Sequence, residues 1–386
     1  MNRKKRRFLF LAVTAVALLA GVLLWTWSAP AGFAQDNPAP TGGDETPPAI
    51  SSTDKVLSGV LPDLPPGTML VEGDVLINTA EFGLRYPDMM TEQGFAPQGT
   101  YGTRFWPDGR VDFEFQTGTA KYSKDQMKMA MALWEKVAGV KFVECSGANC
   151  PDAHVIVRES TKRNFSYIGR QGGPQYLDIV DWPNLAIIAH ELGHGLGLEH
   201  EQRRSDRDSY VRINKDNICG KDDAACTGGK CYDDAGKQMD CSFNFTIQSD
   251  ALIYAPYDFD SVMHYERDAF TRDGSDTITV LEPNTKRWQD AIGQRDHLSS
   301  GDISTMGCMY PRSNWRWADS TPPGIFSFGI LGTCRNPYTT LEKGISETPQ
   351  GGMLWIEPGT YSGVSTLSKP MMLKAPSGGV ILKNNQ

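Results

Sequence analysis

The chain has 386 residues, 46 acidic against 38 basic side chains, a net charge of −8 and 40% hydrophobic content. That mixture excludes a disordered, collagenous or polytopic membrane protein, and the length allows two or three domains. No basic face outside the N-terminus offers itself to phosphates, so nucleic acid is not an expected partner.

The N-terminus opens on Arg3-Lys4-Lys5-Arg6-Arg7, continues uncharged and apolar from Phe8 to Trp27, and ends in small residues up to Ala34-Gln35. Basic, apolar and small-residue regions in that order make a secretory signal peptide over residues 1–34, cleaved after Ala34. The alternative is an uncleaved anchor, because residues 8–27 at 1.5 Å per residue reach about 30 Å, the thickness of a bilayer core. Either way the rest of the chain lies outside the cytosol, secreted or tethered and facing the exterior or periplasm, where disulfides persist.

Residues 35–66 are rich in Pro, Gly, Ser, Thr and Asp and read as an exposed linker. Residues 67–98 carry Met69-Leu70-Val71 and Val75-Leu76-Ile77 around Glu72-Gly73-Asp74, too little for a core of their own. From Arg104 the character changes: Val111 to Phe115 alternates as a half-buried strand, after a turn at Pro107-Asp108-Gly109. Ser123 reads as the N-cap of a helix carrying Met127, Met131, Leu133, Trp134 and Val137, with Gly139 at its stop. Short strands are expected at Lys141–Val143, Val155–Val157 and Tyr176–Val180, and the apolar run Leu185–Leu192 after Pro183 has helical length. Strands and helices mix without strict alternation, which makes the fold class α+β.

The chemistry concentrates in His190-Glu191-Leu192-Gly193-His194-Gly195-Leu196-Gly197-Leu198-Glu199-His200, which holds three of the chain's six histidines. Residues four apart share a helix face, so His190 and His194 can direct imidazole nitrogens at one Zn2+ ion. Glu191, rotated about 100° from His190, lies beside the metal's open position as a proton shuttle. Gly197 lets the chain leave the helix and return His200 as a third ligand. Three neutral ligands with a fourth position left open make a catalytic site rather than a structural one. Downstream, Tyr257-Asp258-Phe259-Asp260-Ser261-Val262-Met263-His264-Tyr265 supplies the methionine turn that accompanies the long zinc motif.

With these residues in view, the chain resembles the astacin family of metzincin zinc endopeptidases. The likeness runs from His190 through Glu201, Arg203, Asp206, Arg207 and Asp208, and covers residues 100 to 312. It implies a two-subdomain zinc protease over 99–314, with a mixed twisted sheet and two long helices above the cleft and an irregular lower half. It also implies that Tyr265 ligates zinc at rest and later steadies the oxyanion, and that Glu201 anchors the mature N-terminus. Val71-Glu72-Gly73-Asp74-Val75 resembles the family's propeptide motif, which makes Asp74 the zinc-blocking residue of a latent precursor; the mature chain would start between Gly94 and Thr103.

The eight cysteines depart from the family's layout. Cys145 and Cys150 are expected to bridge locally, and Cys308 with Cys334 to tie on the C-terminal segment. The loop with Cys219, Cys226, Cys231 and Cys241 lacks a Cys-x2-Cys knuckle, so disulfides are favoured there over a second zinc. Asn164-Phe-Ser and Asn244-Phe-Thr fit the glycosylation pattern. Residues 315–386 resemble one opening coil of a right-handed parallel β-helix, with a glycan contact as the functional reading. The whole reads as a secreted, latent zinc endopeptidase acting on proteins or peptides. Its rivals are a membrane-tethered protease and a surface carbohydrate-binding or adhesive protein. Substrate preference and oligomeric state are not legible.

Overall fold

The computed structural model describes residues 68–78, 105–232, 236–249, 251–321, 330–363, 367, 369–376 and 378–383. The expected signal peptide or anchor, the linker, residues 79–98 and the expected mature N-terminus lie outside these residues. Among the described residues no helix is long and apolar enough to cross a membrane.

The first half is a layered sheet and helix structure. Strands β1 (Thr68–Val71) and β2 (Val75–Asn78) form an antiparallel hairpin. Then follow β3 (Arg110–Phe115), helix α1 (Lys121–Val137), β4 (Lys141–Glu144), β5 (Val155–Glu159), β6 (Phe165–Ser166), β7 (Gln175–Ile179) and helix α2 (Leu185–Leu196). The sheet order is β1-β2-β6-β7-β5-β3-β4. Strands β4, β3, β5 and β7 run parallel and β6 antiparallel to β7, so the sheet is mixed. The hairpin joins at the β6 edge through Val75 opposite Ser166.

Helix α1 forms where Met127, Ala130, Met131, Trp134 and Val137 recur on one face, and all five are buried. Its start differs from the expected Ser123 cap: Ala120 is the N-cap, and Ser123 sits inside the helix, donating its hydroxyl to Glu159 Oε1 at 2.5 Å. A distant carboxylate outcompetes the local backbone for that hydroxyl. Helix α2 begins at Asn184, whose side chain accepts from Ala186 N and Ile187 N. It ends at Gly197 with φ 110°, a left-handed cap that a side chain would strain. The two helices meet at Trp134, fully buried, whose Nε1 donates to Ala189 O at 2.9 Å.

The second half is irregular. It contains β8 (Val211–Ile213), β9 (Cys231–Tyr232), β10 (Gln238–Met239), β11 (Ile278–Val280), a single helical turn α3 (Thr285–Trp288) and α4 (Ser300–Met309). Strand β8 pairs with β11 and β9 with β10. The loop cysteines pair Cys219–Cys226 and Cys231–Cys241, so they hold no second zinc. Cys145–Cys150 and Cys308–Cys334 pair as expected. Helix α4 carries a capping box between Ser299 and Asp302.

The C-terminal segment comprises β12 (Trp315–Ala318), α5 (Leu341–Glu347), β13 (Met353–Ile356), β14 (Gly359–Ser362), β15 (Met372–Lys374) and β16 (Val380–Lys383). Strands β12, β13 and β15 stack in parallel register, Trp317 over Trp355 over Lys374, and β14 stacks on β16. The single expected coil is therefore extended to successive layers. The segment docks through buried Trp315, Trp317 and Trp355; a Cβ at Gly307 of α4 would stand 2.9 Å from the Trp355 ring.

Candidate active site

The metal-directed geometry starts from α2. His190 and His194 project from one face with ring centroids 4.7 Å apart, and the turn at Gly197 brings the His200 ring to 4.6 Å from His194. Each imidazole uses its Nδ1 elsewhere. His190 Nδ1 lies 2.7 Å from Val262 O, His194 Nδ1 2.8 Å from Leu198 O, and His200 Nδ1 2.8 Å from Glu72 Oε2. A carbonyl or carboxylate can only accept, so each Nδ1 carries the proton and each Nε2 presents a lone pair. Asp74 closes the set: its Oδ2 is 3.0 Å from His190 Nε2, and its Oδ1 is 3.3 Å from His200 Nε2 and 3.8 Å from His194 Nε2.

His194 Nε2, His200 Nε2 and Asp74 Oδ1 are buried without a hydrogen-bond partner. One ligand atom from each of Asp74, His190, His194 and His200 lies within 4.8 Å of the others. Three imidazole nitrogens and a carboxylate oxygen face one point, all but His190 Nε2 without another partner, and they are the donor set of a tetrahedral zinc site. The residues present therefore fit the ion. Burial lowers the His190 pKa to about 4 and holds His194 well below the usual range, both of which favour neutral ligands. Glu191 is buried beside them with Oε2 unpartnered, and burial together with Asp74 pushes its pKa up.

The floor comes from the methionine turn. Met263 is buried beneath α2, and a Cβ on Gly193 would stand 3.0 Å from its sulfur, so the glycine inside the zinc motif makes the seat. Asp302 of α4 fixes the turn, accepting from Ser261 Oγ at 2.6 Å and Val262 N at 2.9 Å. Tyr265 lies against His200, ring centroids 4.6 Å apart, but its hydroxyl donates to Glu72 O at 2.6 Å.

Glu201 stands apart from the metal. Its Oε1 accepts from Asp258 N at 2.8 Å and Arg204 Nη1 at 2.9 Å, and burial raises its pKa to about 8. It borders a cavity of about 30 Å³ that Asp258 and Asp302 also line. A second cavity, about 230 Å³, opens beside Asp74 and Tyr265 and is lined by Glu266, Phe270, Gly293 and Arg295.

All nine site residues expected from sequence are placed, with Asp74, His190, Glu191, His194, His200 and Tyr265 converging, Met263 and Gly197 beneath, and Glu201 behind. Glu72, Gln202 and Arg295 were missed. Gln202 accepts from Tyr265 N at 3.0 Å, and Arg295 Nη1 donates to His264 O at 3.0 Å. A glutamate before Gly-Asp, a glutamine after Glu201 and an arginine after Gln294 carry no local pattern that marks a role. The two glycosylation-pattern asparagines are engaged: Asn244 is buried and accepts from Glu72 N, and Asn164 accepts from Val180 N.

Residues 98–311 match the family model described as Astacin (Peptidase family M12A). Zinc metalloproteinase nas-30 of Caenorhabditis elegans is 35% identical over 207 residues, 53% of this chain and 24% of that protein. Human tolloid-like protein 1 is 32% identical over 213 residues, 54% of this chain and 19% of that protein. High choriolytic enzyme 1 of Oryzias latipes is 39% identical over 150 residues, 38% of this chain and 47% of that protein. The solved structure of that enzyme, a hatching enzyme zinc-protease, aligns with 31% identity and a TM-score of 0.44, covering 55% of this chain and 97% of the other. The chain thus spans less than half the length of these curated relatives.

Proposed function

The chain belongs to the astacin family of zinc-dependent peptidases, and from that premise we propose that it is an exported endopeptidase made as a latent precursor, hydrolysing peptide bonds in proteins. The observation that carries the reading is the convergence of three imidazole lone pairs on one point beside Glu191, with Asp74 on the fourth side. When bound, zinc supplies a Lewis acid for the scissile carbonyl and for the attacking water. Glu191 takes the proton from that water and passes it to the leaving amine, a task suited to a buried carboxyl of raised pKa. Tyr265, freed from Glu72, donates its hydroxyl to the carbonyl oxygen as negative charge develops there. Met263 supports the ligands from below, and Gly197 permits the turn that returns His200.

In the precursor Asp74 holds the position the water needs, and the β1–β2 hairpin covers the β6 edge against which a substrate strand would pair. After processing, Glu201 would receive the new N-terminal ammonium. The buried Glu201 carboxyl already pairs with Arg204, and the cavity of about 30 Å³ that it shares with Asp258 and Asp302 leaves room for a second small cation among three carboxyls. Export rests on the N-terminal segment and on four disulfides. N-terminal sequencing of the processed chain separates release from a retained tether.

Glu191→Gln should retain zinc and lose casein hydrolysis by about 10²–10⁴-fold, the usual worth of a positioned proton shuttle. Metal analysis beside the assay checks both halves; a fully active variant sinks the mechanism. Failure to find casein cleavage that phenanthroline abolishes would instead favour the rival reading, a C-terminal segment that acts as an adhesive or glycan-binding module.

A further inference from the structure

We infer that Glu72 is a second lock on latency, independent of the metal: its carboxylate fills a buried anion site made by His200 Nδ1 and the Arg203 guanidinium, while its main chain restrains Tyr265. The inference rests on the precursor reading above, because it concerns the same hairpin.

Glu72 is more deeply engaged than Asp74. Its Oε2 accepts from His200 Nδ1 at 2.8 Å and its Oε1 from Arg203 Nη1. Its amide donates to Asn244 Oδ1 at 2.7 Å, and its carbonyl accepts from the Tyr265 hydroxyl at 2.6 Å. Glu72 is 1% exposed and Arg203 0%, so the pair is out of water, where losing one partner leaves an uncompensated charge. Glu72 also holds φ 59°, a left-handed conformation that a glutamate adopts only when its surroundings demand it.

The receptor belongs to the catalytic domain, not to the hairpin. Arg203 Nε donates to Thr246 O at 2.8 Å and Nη2 to Gln248 Oε1 at 3.3 Å, which fixes the guanidinium from the far side. Departure of the hairpin therefore leaves a preformed cationic pocket beside a zinc-site histidine. Glu199 Oε2, 3.9 Å from Arg203 Nη1, is a carboxylate of the same domain placed to take over. Glu72 reaches the back of His200 and Asp74 the metal-facing nitrogens, so removing the metal separates the two contributions.

The test is amide hydrogen exchange on the full chain, zinc-loaded and zinc-stripped. Glu72→Gln should speed exchange across the β1–β2 hairpin at least about 10-fold in both states, as expected when a buried charge loses its partner. Asp74→Asn should speed it more with zinc than without. Protection in α1 and α2, read in the same spectra, shows that the variant is folded. Should Glu72→Gln fail to fold, Glu72→Asp, which keeps the charge and shortens the reach, is measured against the same criterion. Hairpin exchange within about 2-fold of wild type in the stripped variant overturns the inference. An unprotected hairpin in the zinc-loaded wild-type chain instead overturns the precursor reading.

Discussion

The two halves flanking the zinc site are built by different means. The half above it packs Met127, Trp134, Leu177 and Ile188 between a sheet and two helices, and its core contains no cysteine. The half below packs Phe243, Phe245, Tyr257, Phe259 and Ile278 around four disulfide-bonded cysteines, and completes that core with Val71, Val75 and Ile77 of the hairpin. Regular elements satisfy their own backbone groups, so the upper half needs only an apolar periodicity to fold. The lower half relies on cross-links and on side chains that bond the main chain, such as Arg207 Nη1 to Gln202 O and Thr277 Oγ1 to Ala269 O. The ligands divide accordingly: α2 holds His190 and His194 rigidly, whereas His200 and Tyr265 sit where the lower half and the hairpin position them.

Trp134→Ala puts the heaviest strain on this contrast. It removes a fully buried ring and the hydrogen bond to Ala189 O, at a cost of about 3–5 kcal/mol. Thermal unfolding followed by circular dichroism should show the whole catalytic domain destabilised, because the zinc helix rests on that ring. Replacing Cys231 and Cys241 together by alanine should cost about 2–3 kcal/mol from the lost loop constraint. Amide exchange should then rise in the lower half and the hairpin while α1 and α2 stay protected. Equal loosening of both halves would dissolve the distinction.

The smallest effect is a pH dependence confined to the lower half. Burial, helped by Asp302, raises the Asp258 pKa from its ordinary 3.8 to about 6. The folded chain thus keeps a proton that the unfolded chain has lost between those values. The associated stability is full below about pH 3.8 and is lost as the pH rises through about 6. Asp258 is only half-buried, so the effect should be about 1–2 kcal/mol. Asp258→Asn should flatten that part of the stability curve in denaturant titrations.

Legibility in the sequence follows the same division. The span of α2, its glycine cap and the facing histidines obey a 3.6-residue period, and the structure places them where that period requires. The α1 start was misread because Ser123 spends its hydroxyl on Glu159, a partner no local rule reveals. Likewise the C-terminal segment looked like one coil because a parallel ladder such as Trp317, Trp355 and Lys374 has no local signature.

From its sequence alone this protein is determined as a zinc peptidase: the ligand types, their spacing on one helix turn and the methionine turn are local facts that chemistry reads directly. Only the tertiary structure decides what surrounds that centre. It brings Asp74 to the imidazole nitrogens, Glu72 to Arg203 and His200, and Asp302 to the methionine turn. Those contacts join residues far apart in the chain, and they hold because burial penalises any charge or donor left without a partner.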